Sequence, residues 1–453
     1  MLPQTNSFHQ TANPILLAMK ELQIGRLLRQ ANVRKSCGVP VVALFQTLIL
    51  LVFQGKNLFR FLHSEHTDCT ISKNAFYRFL GNPSFNWHRF LLLLSARITR
   101  VFGSLTGSGR VKMLVLDDSV LPRNRSKSVE LLARIYDHVS QQYLRGFNLL
   151  ALGWTDGFSF VPVAFNLLSS AKKQNRYQEA EQGIDHRTNG WKARMGSMLQ
   201  KPEAALLMIQ RALKAGIEAD YILMDSWFTT APFVKKLRDM GLHAIGMVRN
   251  GKQSYLYRGR FFTLPQLAKL AVRENAGTPY RSLAVRTGKH NVPVRIIFVQ
   301  NRNNKSEFLY LLTTDLALSD GEAIRLYGNR WSIETFFKAS KSLFRLCNEF
   351  QTRNYDSALA HTALVFTRYM VLEWIRRKNN DQKTYGGLFF AMCEDVQDME
   401  LSEALRSLMA LFVEILNAWG VENTEVIKSK VSFWIASQSR YIRDLLGNLC
   451  WES

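Results

Sequence analysis

Apolar positions recur at helical spacing from residue 13 to about residue 102. Leu16, Met19, Leu22, Leu27 and Ala31 fall in one segment, and further helical segments cover 40–53, 73–80 and 85–100. The pattern changes after Gly103-Ser-Leu-Thr-Gly-Ser-Gly109, a flexible linker by composition. VKMLVLDD then predicts an apolar strand ending in Asp117 and Asp118, and FNLLALGW and FSFVPVAFNLL predict a hairpin turning at Asp156-Gly157. Residues 169–201 read as a long basic loop holding Lys172, Lys173, Arg176, Arg187, Lys192 and Arg194, before a helix over 203–214. ADYILMD is a strand ending at Asp225, Thr229-Thr-Ala-Pro232 opens a helix to Met240, and HAIGMVR is the next strand.

Residues 251–315 switch to strand signals: SYLYR, RFFTL, RSLAVRT, NVPVRIIFVQ and EFLYLLTT. Helix returns over about 319–346, and amphipathic segments fill 355–446 with Gly420 as a C-cap. The expected organisation is a helical domain at 1–107, an α/β core at 108–250 and 316–350 interrupted by a β-rich insertion at 251–315, and a helical domain at 351–453.

Composition narrows the classes of function. Of 453 residues, 47% are apolar and 21% charged, which excludes a disordered or low-complexity chain. Lysine and arginine number 59 against 36 acidic residues, a net charge of +23, so a polyanionic partner is expected. Nucleic acid fits best, with an anionic membrane surface as the rival. The longest apolar run, 39–53, is too short for the roughly 20 residues that span a bilayer, and reads as a buried helix. The opening residues lack the features of a secretory signal, so a cytoplasmic location with reduced thiols is expected. Five scattered cysteines form no CxxC pair, and the cluster His63, His66 and Cys69 has no evident fourth ligand for zinc. ISKNAFYRFLGNPSFNW, broken at Gly81-Asn82-Pro83, suits either a DNA-binding helix-turn-helix or a plain bundle.

Asp117, Asp118 and Asp225 stand at predicted strand ends, where open α/β sheets carry their sites. Alone, each is as well explained as a cap or turn former. The helix AIRLYGNRWSIETFFKASKSLFRL adds Tyr327, Arg330, Glu334 and Lys341 at intervals of three, four and seven, within a sector of roughly 60° at 3.6 residues per turn. Ile333, Phe336 and Leu343 lie opposite, so the helix can pack by one face and present the other. Three carboxylates from two strands and a helix can hold two Mg²⁺ ions for phosphoryl chemistry, with Arg330 and Lys341 balancing phosphate charge and Tyr327 touching phosphate or base. Trp227 and Trp331 flank this group and are expected in the core.

At these residues the chain resembles the DDE transposases of bacterial insertion sequences, specifically the insertion-sequence-four group. That group's signature is Tyr, two residues, Arg, three residues, Glu, six residues, Lys; Tyr327, Arg330, Glu334 and Lys341 match every spacing. LVLDDS and YILMDSWF look like its aspartate strands, and 251–315 lies where it carries an insertion, so the likeness covers roughly 111–346. The resemblance implies an α/β fold with an RNase H-like catalytic core, a metal-holding triad of Asp117, Asp225 and Glu334, and DNA-binding roles for Tyr327, Arg330 and Lys341. It also implies Mg²⁺ or Mn²⁺ as cofactor and strand cleavage and transfer on double-stranded DNA by a homodimer at the bacterial nucleoid. The family pattern selects Asp117 through Ser119, with Asp118 equally acidic. Relatives that form a hairpin intermediate hold a flipped base with an aromatic, often Trp; 251–330 has no Trp, leaving Tyr255, Tyr257 or Phe262. A DNA-binding protein without catalysis and a nuclease without strand transfer are the competing readings.

Overall fold

The structure is a computed structural model. It describes residues 13–396 apart from 64–70, 106, 108, 138–139, 252, 275–280, 301–307, 347–352 and 380–381, and four isolated positions (412, 429, 432 and 433) beyond. Gly420, His66 and Cys69 lie outside the described residues.

Six helices come first: α1 (Pro14–Glu21), α2 (Ile24–Gln30), α3 (Val41–Leu50), α4 (Leu58–Leu62), α5 (Lys73–Leu80) and α6 (Trp87–Ser104). Side chains of Asn13, Asn57, Ser72 and Asn86 cap four of them by accepting otherwise unpaired N–H groups of the first turn. α6 runs through Gly103 and Ser104, so the helix takes the first residues of the expected linker. Four strands follow: β1 (Met113–Pro122), β2 (Ala133–Asp137), β3 (Gln142–Thr155) and β4 (Phe160–Leu168). The β3–β4 turn is at Asp156-Gly157 as expected: Asp156 Oδ1 accepts from the N–H groups of Phe158 and Ser159, and Gly157 sits at φ +84°. Next are α7 (Asn189–Ser197), α8 (Lys201–Lys214), β5 (Tyr221–Met224), α9 (Ala231–Asp239) and β6 (His243–Val248).

All five strand signals of 251–315 form strands: β7 (Tyr255–Tyr257), β8 (Arg260–Phe262), β9 (Arg281–Thr287), β10 (Pro293–Gln300) and β11 (Phe308–Thr313). A helix, α10 (Leu264–Glu274), stands between the second and third of them, within a stretch expected to be β-rich. The chain continues through α11 (Asp320–Gly328), α12 (Trp331–Ser342) and α13 (Tyr355–Lys378).

Among the described residues the strands form one sheet in the order β2-β3-β1-β5-β6-β11-β10-β9-β7-β8, with β4 also paired to β3. β1, β5 and β6 are parallel neighbours, while β3 and β4 form an antiparallel meander beside β1. The mixed α/β architecture, with β4-β3-β1-β5-β6 at its centre, is consistent with an RNase H-like domain. β11 joins antiparallel to β6, so the later strands extend this sheet edge.

Residues 355–378 depart from the amphipathic expectation. α13 is buried on all sides from Tyr355 to Ile375 and packs against α1, α3, α5, α6, α12 and β4. A helix enclosed on every side belongs in a core, and its buried Arg368 donates to the carbonyls of Ile49 and Leu48. Of the expected buried helix over 39–53, α3 forms Val41–Leu50 and buries Leu44, Phe45, Leu48 and Ile49, and among the described residues no helix is long and apolar enough to cross a membrane.

Candidate active site

Sheet register brings the first two acidic positions together. β1 pairs in parallel with β5 from Met113↔Tyr221 to Leu116↔Met224, so Asp117 and Asp225 are the next residues on adjacent strands. β1 does not end at the carboxylates; it continues to Pro122 because β3 still pairs with it, whereas β5 stops at Met224. Asp117 therefore lies where one neighbouring strand ends and its edge of the ladder opens.

The predicted helix over 319–346 is two helices, α11 and α12, joined by a tight turn. The N–H groups of Asn329, Arg330, Ser332 and Ile333 bond three residues back rather than four. Both linking residues keep right-handed helical angles, so the stripe of functional side chains survives the break. Its apolar side packs as expected. Phe336 is fully buried, with its ring centroid 5.2 Å from Phe160, 4.8 Å from Phe366 and 4.8 Å from Tyr369. Gly153 on β3 makes this possible, since a Cβ there would lie 2.1 Å from the Phe160 ring. With that face anchored to β4 and α13, the polar stripe is held over β1.

Arg330 bridges two elements. Its guanidinium donates to Asp117 Oδ2 at 2.9 Å and also to Glu334 Oε1 one turn along. Lys341 Nζ donates to Ser119 Oγ at 2.7 Å, two residues beyond Asp117. The Tyr327 ring centroid lies 5.9 Å from the Arg330 guanidinium, and burial pushes its hydroxyl up to about 12. Asp225 Oδ1 accepts the N–H groups of Trp227 and Phe228, at 3.1 and 3.3 Å, so it also shapes the turn after β5. The structure thus gathers Asp117, Arg330, Glu334 and Lys341 around the end of β5, where Asp225 stands.

Asp118 faces the other way. Strand alternation turns it to the opposite side of the sheet, where its Oδ2 accepts from Asn148 Nδ2 at 2.5 Å and Lys201 Nζ at 2.8 Å. Neither partner was singled out from the sequence. Asn148 is two residues from Leu150, the β3 partner of Asp118, so the pair could have been found only once the register was known.

Burial dominates the electrostatics. It raises Asp117 from 3.8 to about 7, against the opposing effects of the Asp118 N–H and Arg330 and with support from Asp225 and Asp118. Asp225 is raised by burial too, partly offset by the N–H groups it accepts. Two half-buried carboxylates disfavouring their own charge suit a hard divalent cation bound through oxygen. Among the described residues no three Asp, Glu, His or Cys side chains stand close enough to hold one ion, and Arg330 supplies the positive charge between Asp117 and Glu334. Asp117, Asp225 and Glu334 bring carboxylate oxygens, the donor type a hard divalent cation takes, to this end of the sheet.

Three expectations are overturned. Trp227 and Trp331 are exposed rather than core, and Lys201 Nζ lies 4.8 Å from the centroid of the Trp227 ring. Tyr255 is fully buried and cannot stack on a base, whereas its neighbour Phe261 is exposed. Arg194 is no part of a solvated basic loop: it lies in α7, buried, and pairs with Glu130 at 2.5 Å and Asp356 at 2.8 Å.

Two families of known proteins match the chain. The DDE superfamily endonuclease family matches residues 49–269, which include Asp117, Asp118 and Asp225. The transposase DDE domain family matches residues 201–371, which include Asp225, Tyr327, Arg330, Glu334 and Lys341. No curated protein matches the chain. The family matches support a DDE transposase and imply nuclease-type catalysis; such transposases generally bind DNA and use divalent metal ions.

Proposed function

We propose that this chain is a DNA transposase of the insertion-sequence-four group. It binds the terminal inverted repeats of its own element, cleaves DNA strands with Mg²⁺ or Mn²⁺, and transfers the 3′ ends into target DNA as a homodimer at the nucleoid. The observation that carries this reading is the bridge from Arg330 to Asp117 and Glu334, across 213 positions of sequence to the first of these, beside the end of β5. A helix stripe defined by spacing alone meets a strand carboxylate from another element, as a shared site requires.

Asp117, Asp225 and Glu334 would hold the cation or cation pair, which supplies Lewis-acid stabilisation and an activated oxygen nucleophile. Asp118, paired with Lys201 and hydrogen-bonded by Asn148 on the far side of the sheet, braces the strand instead. Arg330, beside both Asp117 and Glu334, would carry the positive charge that balances the scissile phosphate. Lys341, held at Ser119, reaches the flanking phosphate of the same strand, and the Tyr327 hydroxyl, kept protonated by burial, donates to phosphate.

The test incubates the full chain with DNA spanning the borders of its own coding region, in Mg²⁺ or EDTA, beside Asp225→Ala. Mg²⁺-dependent breaks at the borders that vanish in the variant, together with joined products, are expected. Binding without any break would sink the proposal.

A further inference from the structure

The sheet face that carries Asp117 does not end at the site. Asp117 pairs with Ala151 of β3, so Leu149, Phe147, Arg145 and Tyr143 follow on the same face by strand alternation. β2 pairs with the start of β3 in the register Arg134↔Arg145 and Tyr136↔Tyr143, which adds Arg134 and Tyr136 to that face. Two arginines therefore stand directly opposite each other, an arrangement that is unfavourable across an antiparallel pair unless something anionic covers it. Among the described residues neither has an ion pair with a carboxylate. Each is instead set over a tyrosine ring: Arg134 lies 3.9 Å from the Tyr143 centroid and Arg145 4.6 Å from that of Tyr177. Tyr177 is brought to the β2 edge by the basic loop, through its N–H to the Leu132 carbonyl at 2.7 Å. Tyr143 is 61% exposed, Tyr177 is exposed, and the Tyr136 ring meets Tyr143 edge-on at 5.1 Å.

We propose that this arginine and tyrosine surface of the β2–β3 hairpin holds unpaired nucleotides of a DNA strand that runs past the Asp117 site. It rests on the DNA-cutting reading above and adds a second binding locus to it. Arginines neutralise phosphates, and rings with one face already lined by a guanidinium offer the other to a base. A duplex keeps its bases stacked inside, so exposed rings have nothing to stack on there; bases out of the stack do. From the level of Asp117 the surface lies six to eight residues along β3, about 20–27 Å at 3.4 Å per residue. At the duplex rise of about 3.4 Å per nucleotide this is at most about six to eight nucleotides from the cut, and fewer for a strand drawn out of the stack.

The test measures binding of the full chain to a labelled oligothymidylate and to a duplex, each of about 30 units, by fluorescence anisotropy. Tyr143→Ala with Tyr177→Ala is expected to lose about 10–100-fold on the oligothymidylate and less than about threefold on the duplex, while Tyr143→Phe with Tyr177→Phe binds like the parent. Near-parental binding of oligothymidylate by the alanine pair overturns the proposal, as does an equal loss on both DNAs. Both side chains are exposed, so an unchanged thermal midpoint is expected; if the alanine pair unfolds, Tyr143→Ser alone provides the same comparison. Binding needs no cleavage, so the two readings fail separately. Discrimination without border cuts leaves this surface standing and sinks the transposase; border cuts with indifferent tyrosine variants do the reverse.

Discussion

Two clusters in this molecule have the same composition, one arginine between two carboxylates, and opposite fates. In the first, Arg194 joins Glu130 and Asp356, tying the segment after β1 to α7 and the start of α13. Its arginine side chain is 1% exposed, and its remaining polar atoms are spoken for: Glu130 also accepts the N–H groups of Glu181 and Tyr355, and Arg194 donates to the Gly190 carbonyl. Burial raises Asp356, and Arg194 offsets this. In the second, Arg330 joins Asp117 and Glu334, the glutamate side chain is 35% exposed, and the further donor to Asp117 is the N–H of Asp118. Asp117 is left near 7. A buried charge cluster that is fully bonded fixes a structure, whereas one with spare lone pairs and access to solvent is available for a cation and a substrate.

The sharpest way to break this comparison is to remove one carboxylate from the open cluster. Asp117→Asn should cut border cleavage by at least about a hundredfold while leaving the denaturant midpoint unchanged or higher. A cleavage-competent Asp117→Asn with a dead Asp118→Asn would reverse the roles of the two neighbours. Arg194→Met should do the opposite, costing about 3–5 kcal/mol of stability by leaving two buried carboxylates without their cation. Chemical denaturation reads this directly, and a loss under 1 kcal/mol would remove the distinction drawn between the clusters.

A smaller effect concerns pH. The folded-state value of Asp117 is raised, so its contribution to stability is whole below about pH 4 and is lost as pH rises through about 7. Asp117→Asn should therefore flatten the fall in stability between about pH 4 and 7 without abolishing it, since burial raises Asp225 in the same direction. Urea titrations across that range check the sign. The smallest effect is expected from Lys341→Ala: DNA affinity should fall about equally for all sequences, and the slope of log affinity against log salt should shrink by about one. A sequence-selective loss would instead tie Lys341 to base recognition.

Much of this was legible along the chain because it is local. Apolar and β-branched runs marked β1, β4, β6 and the strands of 251–315, and the period of 3.6 set Tyr327, Arg330, Glu334 and Lys341 opposite Ile333 and Phe336. The Asp156-Gly157 turn follows from a side chain that bonds its own backbone within three residues. The helix 264–274 was obscured by the strand-rich stretches on either side, and α13 was misjudged because it is polar at intervals yet enclosed by other elements on every side.

By itself, then, the chain determined most of its strands and helices, its basic balance and the spacing of the stripe, since those depend on neighbours a few residues apart; β2 carried no strand signal of its own. Tertiary structure alone decided which aspartate faces α12. Alternation puts Asp117 and Asp118 on opposite sides, but only the packing of Phe336 onto Phe160 and α13 says which side carries Arg330 and Glu334. It likewise decided that Lys201 neutralises Asp118, that Arg194 is buried and that Trp227 and Trp331 are exposed. These contacts join residues distant in sequence, and the free energy of burying or pairing a side chain depends on what the fold brings to it.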